Sequence, residues 1–386
     1  HYYTPAVVAV AALLALVPPL IAGGEWLVWL NRSLIFLVIS CPCALVVSVP
    51  LTFFAGIGGA SRKGILVKGS NYLEMMTHIK TVVFDKTGTL TRGNFSVTAI
   101  HPQMLSEHEL IKLAALAESF SDHPLSVSIR DACNLPLDKT RVTGYENIAG
   151  EGIVAIIDNG KVYAGNEKLM SRAGVTPRSC KKTGTIVHVA VDSVYMGHIV
   201  VSDTLKPQSV ETIARLKASG VGKTIMLTGD RSDVAKDIAG KVNIDEFHAE
   251  LLPIDKVRFV EALCKEHARS PIAFVGDGIN DAPVIKLADI GIAMGAVGSD
   301  AAIEAADIVL MNDNPMNIVE GMMIARKTLS IVKQNIVFAI GIKLLMLLLG
   351  ALGVVNMWAA VFADVGVTIL AILNALRSIR VSNVLK

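Results

Sequence analysis

Charge is what this 386-residue chain is shortest of. Asp, Glu, Lys and Arg make up 18% of it, against about 25% in an average soluble protein, and the deficit is local. Residues 1–61 carry two formal charges, Glu25 and Arg32, and residues 334–376 carry two more, Lys343 and Asp364. That distribution excludes a single soluble globule and reads as membrane, soluble, membrane. An excess of one sign is missing too. A net charge of +2, with no basic stripe interleaved with aromatics, argues against a nucleic-acid partner. Five scattered cysteines make no disulfide framework, and Cys41 and Cys43, with one residue between them, are expected to be poorly placed to pair with each other. No charged leader with a small-residue cleavage site opens the chain, so no signal peptide is expected. The chain starts at His1 without an initiator Met, and a fragment of a longer protein is the expectation.

In place of charge there are long apolar runs. A membrane-spanning helix needs about 20 such residues. Residues 5–22 supply one run, with Pro18 and Pro19 expected to distort its end. Residues 26–60 supply a longer one, interrupted at Cys41-Pro42-Cys43 and at Pro50. Residues 336–355 and 357–376 supply two more, with a turn near Gly353–Asn356. Basic clusters at Arg62, Lys63 and Lys68, at Arg326, Lys327 and Lys333, and at Arg377, Arg380 and Lys386 belong on the cytoplasmic side.

The middle of the chain alternates short apolar strands with helical segments such as Gln208–Ala218 and Lys256–His267. This is a doubly wound α/β pattern, which binds ligands at the carboxyl ends of its strands. Polar clusters stand at those ends. Asp85-Lys86-Thr87-Gly88-Thr89-Leu90-Thr91 follows a buried strand. A carboxylate there can attack a phosphoryl group and form an acyl phosphate, with backbone N–H groups and hydroxyls to hold the phosphate. Thr228-Gly229-Asp230 follows a second strand. Gly276-Asp277-Gly278-Ile279-Asn280-Asp281 follows a third, and its two carboxylates suit Mg²⁺. Between about 96 and 203 the pattern changes to alternating runs around the helical stretch Glu107–Phe120, expected to be an inserted antiparallel sheet with helices. Within it, Glu118 precedes Ser121-Asp122-His123-Pro124, and Gly150-Glu151-Gly152 follows. There is no Gly-x-x-x-x-Gly-Lys-Ser/Thr loop, which excludes a Walker-type nucleotide site.

Cys41-Pro42-Cys43 interrupts an apolar run. Proline frees backbone carbonyls, and two thiolates select soft or borderline cations; packing cysteines beside a kink are the plain alternative. Lys343 and Asp364 each lie about ten residues from the last turn, so they stand at similar depth on neighbouring helices and can pair.

Taken in order and spacing, Asp-Lys-Thr-Gly-Thr-Leu-Thr, Thr-Gly-Asp and Gly-Asp-Gly-Ile-Asn-Asp-Ala-Pro resemble the P-type ATPase family, along essentially all of the chain. The resemblance implies membrane helices plus a haloacid-dehalogenase-like phosphorylation domain with an inserted α+β nucleotide-binding domain. The implied boundaries are 1–77, 78–95, 96–203, 204–330 and 331–386: membrane, phosphorylation, nucleotide, phosphorylation and membrane segments. It implies Asp85 as phosphorylated nucleophile within the Lys86 and Thr87 loop. Asp277, Asp281 and the Thr87 carbonyl would hold Mg²⁺, and Thr228, Gly229, Asp230 and Lys256 would surround the phosphoryl group. Glu118, His123, Gly150 and Gly152 are implied for ATP, with Gly165 and Asn166 beside them. Cys41, Cys43, Asp364 and Lys343 resemble the ion site of the zinc, cadmium and lead exporters; the Tyr-Asn pair of the copper pumps is not found. A Thr-Gly-Glu loop, the mark of the family's actuator domain, is also missing, and that domain is expected to precede His1. The expected location is a plasma (inner) membrane, with the soluble domains cytoplasmic. The alternatives are a metal- and nucleotide-binding membrane fragment that does not transport, or a copper-type P-type ATPase.

Overall fold

The computed structural model describes residues 2–22, 25–180, 182, 184–266, 270–278, 281–295, 300–351 and 354–379. His1, His267, Ile279, Asn280, Gly353, Arg380 and Lys386, used in the reading above, lie outside them. The elements run α1 (Tyr3–Ala22), α2 (Trp26–Ser40), α3 (Cys43–Ser61), β1 (Ile65–Val67), α4 (Ser70–Met75), β2 (Thr81–Asp85), β3 (Thr91–Pro102), α5 (Glu107–Ala117), α6 (Pro124–Cys133) and β4 (Val142–Ile148). They continue β5 (Gly152–Ile157), β6 (Gly160–Gly165), α7 (Glu167–Arg172), β7 (Thr185–Val191), β8 (Val194–Leu205), α8 (Ser209–Ala218), β9 (Lys223–Leu227), α9 (Ser232–Val242) and β10 (Glu246–His248). The last are α10 (Pro253–Glu266), β11 (Ile272–Gly276), α11 (Ala282–Leu287), β12 (Ile290–Met294), α12 (Asp300–Ala305), β13 (Ile308–Leu310), α13 (Met316–Ala351) and α14 (Met357–Ala375). Two compact units result. One holds the apolar helices with Asp307–Met311; the other holds Ile79–Ala306 with Asn312–Met316.

In the helical unit, four segments among the described residues are long and apolar enough to cross a membrane: Tyr3–Ile21, Trp26–Ser61, Met316–Gly350 and Met357–Ser378. α1 continues through Pro18 and Pro19, and α3 through Pro50. Among the described residues, the one break inside a span is at Cys41 and Pro42, whose backbone leaves the helical region (ψ 121° at Cys41, ψ 41° at Pro42). Pro42 has no N–H to give back to α2. α13 starts at Met316 rather than near 336, as one helix of 36 residues, or roughly 54 Å at 1.5 Å per residue. That outruns a hydrocarbon core of about 30 Å, so its charged first half, with Arg326, Lys327 and Lys333, is the part outside the apolar run. The α/β unit therefore ends earlier than the boundary expected at 330.

The other unit contains a parallel sheet in the order β12-β11-β2-β9-β10. β2 (Thr-Val-Val-Phe-Asp) is buried along its whole length, which is why it reads as a near-continuous apolar run rather than an alternating one. The chain leaves β2 for β9 and β10 on one side, then crosses to β11 and β12 on the other. This reversal opens a crevice at the carboxyl end of β2.

Between β2 and β9 the inserted sheet is antiparallel, in the order β3-β8-β7-β6-β5-β4. α5 and α6 cover it through Leu110, Ile111, Ala114 and Ile129 against Val162, Val189 and Ile199. α5 begins with a complete capping box: Ser106 accepts from the Glu109 N–H and the Glu109 carboxylate accepts from the Ser106 N–H.

Candidate functional site

Parallel pairing sets the site. Asp85 lies opposite Leu227 and Phe84 opposite Val275, so Asp85, Thr228 and Asp277 emerge at one edge of the sheet. After Asp85 the chain turns sharply through Gly88, whose φ of +70° favours glycine. A Cβ there would lie 1.4 Å from Oδ2 of Asp277. The glycine is thus what lets the Asp85 loop and the Asp277 loop touch.

Asp85 is 4% exposed. Lys256, from the first turn of α10, donates to Asp85 Oδ1 at 2.5 Å and to Asp281 Oδ1 at 3.0 Å. One carboxylate oxygen from each of Asp85, Asp277 and Asp281 lies within 4.8 Å of the others. Burial first, then the neighbouring Asp281, pushes Asp85 up to about 7 despite Lys256. Burial and Asp281 likewise push Asp277 up to about 6. Two of the three acids share Lys256, while Asp277 has the charge of Lys206 nearby, and hard oxygen donors crowded in this way fit Mg²⁺.

A second set of groups braces the loop. Lys86 is buried and ion-paired with Asp230, and lies 3.8 Å from Asp203. Thr91 donates to the Lys86 carbonyl at 2.9 Å and to Asp203, which also accepts from Gly93 N–H at 3.1 Å. Lys206 donates to the Gly88 carbonyl at 2.5 Å and pairs with Asp313 at 2.8 Å. Thr228 is buried, its hydroxyl accepting from Asp230 N–H at 3.1 Å. The Thr89 hydroxyl is buried with no partner among the described residues, as a donor reserved for a ligand would be. Sequence reasoning missed Asp203, Lys206 and Asp313. The signal was the polar run Asp203-Thr204-Leu205-Lys206 where the chain returns from the insert.

A cleft of about 1140 Å³ opens beside this edge, lined among others by Lys86, Thr87, Asn166, Lys182, Asp203 and Asp230. Gly229 also lines it, and Thr87 is exposed there. Glu118, His123, Gly150 and Gly152 are not among its lining residues. Glu118 is buried and accepts from Ser126 at 2.5 Å, its carboxyl pushed up mainly by burial. His123 caps α6, with Nδ1 accepting from Leu125 N–H at 3.2 Å. Gly152 (φ +138°) is required by close backbone: a Cβ would meet the Ala164 carbonyl at 2.3 Å. Gly150 (φ +75°) faces open space, and its carbonyl accepts from Asn166 Nδ2 at 2.8 Å.

In the helical unit, Lys343 lies 4.0 Å from Asp364 and donates to the Cys41 carbonyl freed at the break. The two charges line a cavity of about 30 Å³ with Pro42, Ala44, Met346 and Ala360, room for roughly one water or ion. The structure corrects the expectation for the two cysteines. Cys41 and Cys43 are paired with their Cα atoms 5.6 Å apart, inside the range a disulfide takes, because the fold at Pro42 brings both side chains to the same side.

The haloacid dehalogenase-like hydrolase family matches residues 79–289. A zinc-transporting ATPase from Synechocystis sp. is 53% identical over 379 residues, covering 98% of this chain and 53% of that protein. A cadmium, zinc and cobalt-transporting ATPase from Bacillus subtilis is 52% identical over 385 residues, covering 99% of this chain and 55% of that one. The crystal structure of a zinc-transporting PIB-type ATPase in an E2.Pi state superposes with a TM-score of 0.87 at 39% identity, covering 98% of this chain and 62% of that one. The chain therefore spans about half the length of the curated relatives it matches.

Proposed function

Because this chain belongs to the haloacid dehalogenase-like hydrolases and its homologues are zinc- and cadmium-transporting P-type ATPases, we propose that it is the catalytic and ion-binding part of a pump that exports a soft divalent cation, Zn²⁺ with Cd²⁺ or Pb²⁺, at the expense of ATP. The observation that carries this reading is the convergence of Asp85, Lys256, Asp281 and Asp277 at one sheet edge.

An Asp85 carboxylate oxygen attacks the γ-phosphorus of ATP. The new bond is an acyl phosphate, the bond to the β-phosphate oxygen breaks, and ADP leaves with that electron pair. Asp277, Asp281 and the Thr87 carbonyl would hold Mg²⁺. Bound there, Mg²⁺ neutralises charge on the transferred group. Lys256 opposes the upward pull of burial on Asp85 and offers its ammonium to the phosphoryl oxygens. Thr228, Thr89 and the backbone of Gly229 are further donors, while Lys86 and Asp230 hold the loop in shape. ATP enters by the wide cleft, with Asn166 on its wall; Glu118, His123, Gly150 and Gly152 are proposed for the adenine end.

For the ion, Asp364 and, once their disulfide is reduced, the thiolates of Cys41 and Cys43 make a mixed oxygen and sulfur donor set suited to zinc-like cations. Lys343 balances Asp364 when the ion is gone. This lysine–aspartate pair favours a divalent cargo over copper(I). The actuator domain that hydrolyses the acyl phosphate is expected from the remaining length of the relatives, and the membrane is proposed to be the plasma (inner) membrane.

The test is labelling of the full-length protein with γ-labelled ATP, quenched in acid. An acid-stable, hydroxylamine-sensitive label that disappears in Asp85→Asn is expected. Equal labelling in the variant would overturn the assignment of the nucleophile, and no label in either protein would defeat the enzyme.

A further inference from the structure

Away from the phosphorylation loop, the inserted sheet carries a second group of metal-ligating side chains that the reaction above does not use. His188, His198 and His101 lie in one row across β7, β8 and β3, with His188 opposite His198 and His198 opposite His101. Cross-strand partners point to the same face, and the ring centroids are 5.7 Å and 4.8 Å apart. The Tyr195 hydroxyl stands between two of the rings, 2.8 Å from Nδ1 of His188 and 3.1 Å from Nδ1 of His198. The far nitrogens have no such partners. Nε2 of His198 and Nε2 of His101 are both buried without a hydrogen bond among the described residues, and His198 is only 7% exposed.

Two orphaned imidazole nitrogens on neighbouring rings need explaining, since buried polar atoms are nearly always satisfied. Cys180, in the loop between α7 and β7, supplies the third member. One ligand atom from each of His101, Cys180 and His198 lies within 4.8 Å of the others. We propose that His101, His198 and Cys180 bind a borderline divalent cation of the Zn²⁺ class, through two imidazole nitrogens and one thiolate, with water in the fourth position.

The hydrogen bonds fit that use. A histidine that ligates through Nε2 carries its proton on Nδ1 and gives it to an outer partner. His198 Nδ1–H then donates to the Tyr195 oxygen, and the Tyr195 hydroxyl donates to Nδ1 of His188. The chain of donors closes with no conflict and leaves the His198 Nε2 lone pair free for the metal. Nitrogen and sulfur donors in this number select Zn²⁺ over Mg²⁺. A bound ion would tie the Cys180 loop to β3 and β8, and Lys182 and Gly184 of that loop line the wide cleft.

The test uses the full-length protein in detergent with saturating Mg²⁺. Cys41→Ser, Cys43→Ser and Asp364→Asn are combined to silence the proposed transport ligands. Titration with Zn²⁺ is expected to show one remaining equivalent, and Co²⁺ in its place a sulfur-to-metal charge-transfer band. Adding Cys180→Ser, a loop substitution that spares the sheet core, should abolish the band and weaken binding at least tenfold. Tyr195→Phe removes no ligand but should weaken binding by roughly 10–100-fold, as loss of an outer partner does. No remaining equivalent in the silenced background, or a band and affinity unchanged by Cys180→Ser, would overturn the proposal.

Discussion

The two charged sites of this chain are built on opposite plans. At the end of β2, three carboxylates crowd together, two of them, Asp85 and Asp281, paired with Lys256 and the third, Asp277, under the charge of Lys206. Among the helices, one carboxylate faces one lysine across 4.0 Å beside a cavity of about 30 Å³. On the reading proposed above, the first site is completed by a cation and a phosphate from solution. The second is balanced by itself. At bilayer depth an unbalanced charge costs roughly 2.5–3.5 kcal/mol, and on the proposed reading the Lys343 ammonium offsets that cost when Asp364 is without a metal. The contrast teaches that water, not chemistry alone, decides how much uncompensated charge a metal site can hold.

The largest expected effect breaks the first plan by geometry alone. Gly88→Ala puts a Cβ where Asp277 Oδ2 now lies and strains a positive φ. The Asp277 carboxylate must move, and a displacement of about 1 Å at a reacting centre costs on the order of 100-fold in rate. Phosphoenzyme formation should fall by that order while the protein still folds; labelling near the unmodified rate would show that Asp277 need not sit where it does.

Next in size is a test of the second plan. Asp364→Ala should abolish one equivalent of Zn²⁺ binding and also lower thermal stability, because Lys343 is left without its counter-charge. Adding Lys343→Met should restore the stability and leave the binding lost. If the double variant regains Zn²⁺, Asp364 is a partner of the lysine and not a ligand.

A smaller effect, on pH, separates the sites by their need for Mg²⁺. Asp85 and Asp277 are raised from an ordinary 3.8 to about 7 and about 6. The folded state therefore binds more protons than the unfolded state between these values, and stability falls as pH rises through that window. Without Mg²⁺ the melting temperature of the α/β unit should decline from pH 4 toward 7. Saturating Mg²⁺ should remove the decline and stabilise more at pH 7 than at pH 5. A Mg²⁺ effect independent of pH would mean that these carboxylates do not hold the ion.

Much of this was legible because strand ends and apolar runs are local signals. The string from Asp85 to Thr91 follows a four-residue apolar strand, and Lys343 and Asp364 stand out as lone charges in apolar helices. What was not legible depended on packing at a distance. Asp203 and Lys206 brace the Asp85 loop from more than a hundred residues away in sequence, with no spacing to announce it. The separation of Cys41 and Cys43 in sequence does not set their distance in space; the backbone angles at Pro42 do. Gly150 and Gly152 look alike as a Gly-x-Gly pair, yet one faces open space and the other a strand.

That last pair yields the finest test, because its two glycines separate backbone need from ligand need. Gly152→Ala drives a Cβ to 2.3 Å from the Ala164 carbonyl, so it should destabilise the insert whatever the site does. Gly150→Ala meets nothing within 4 Å; its only intrinsic cost is a left-handed backbone, about 1 kcal/mol. A melting shift of that size with an unchanged KM for ATP would make Gly150 a turn residue only. A rise in KM beyond what the small stability loss produces would give it a place against the nucleotide, and would extend the cation-hungry site at β2 across the cleft into the inserted sheet.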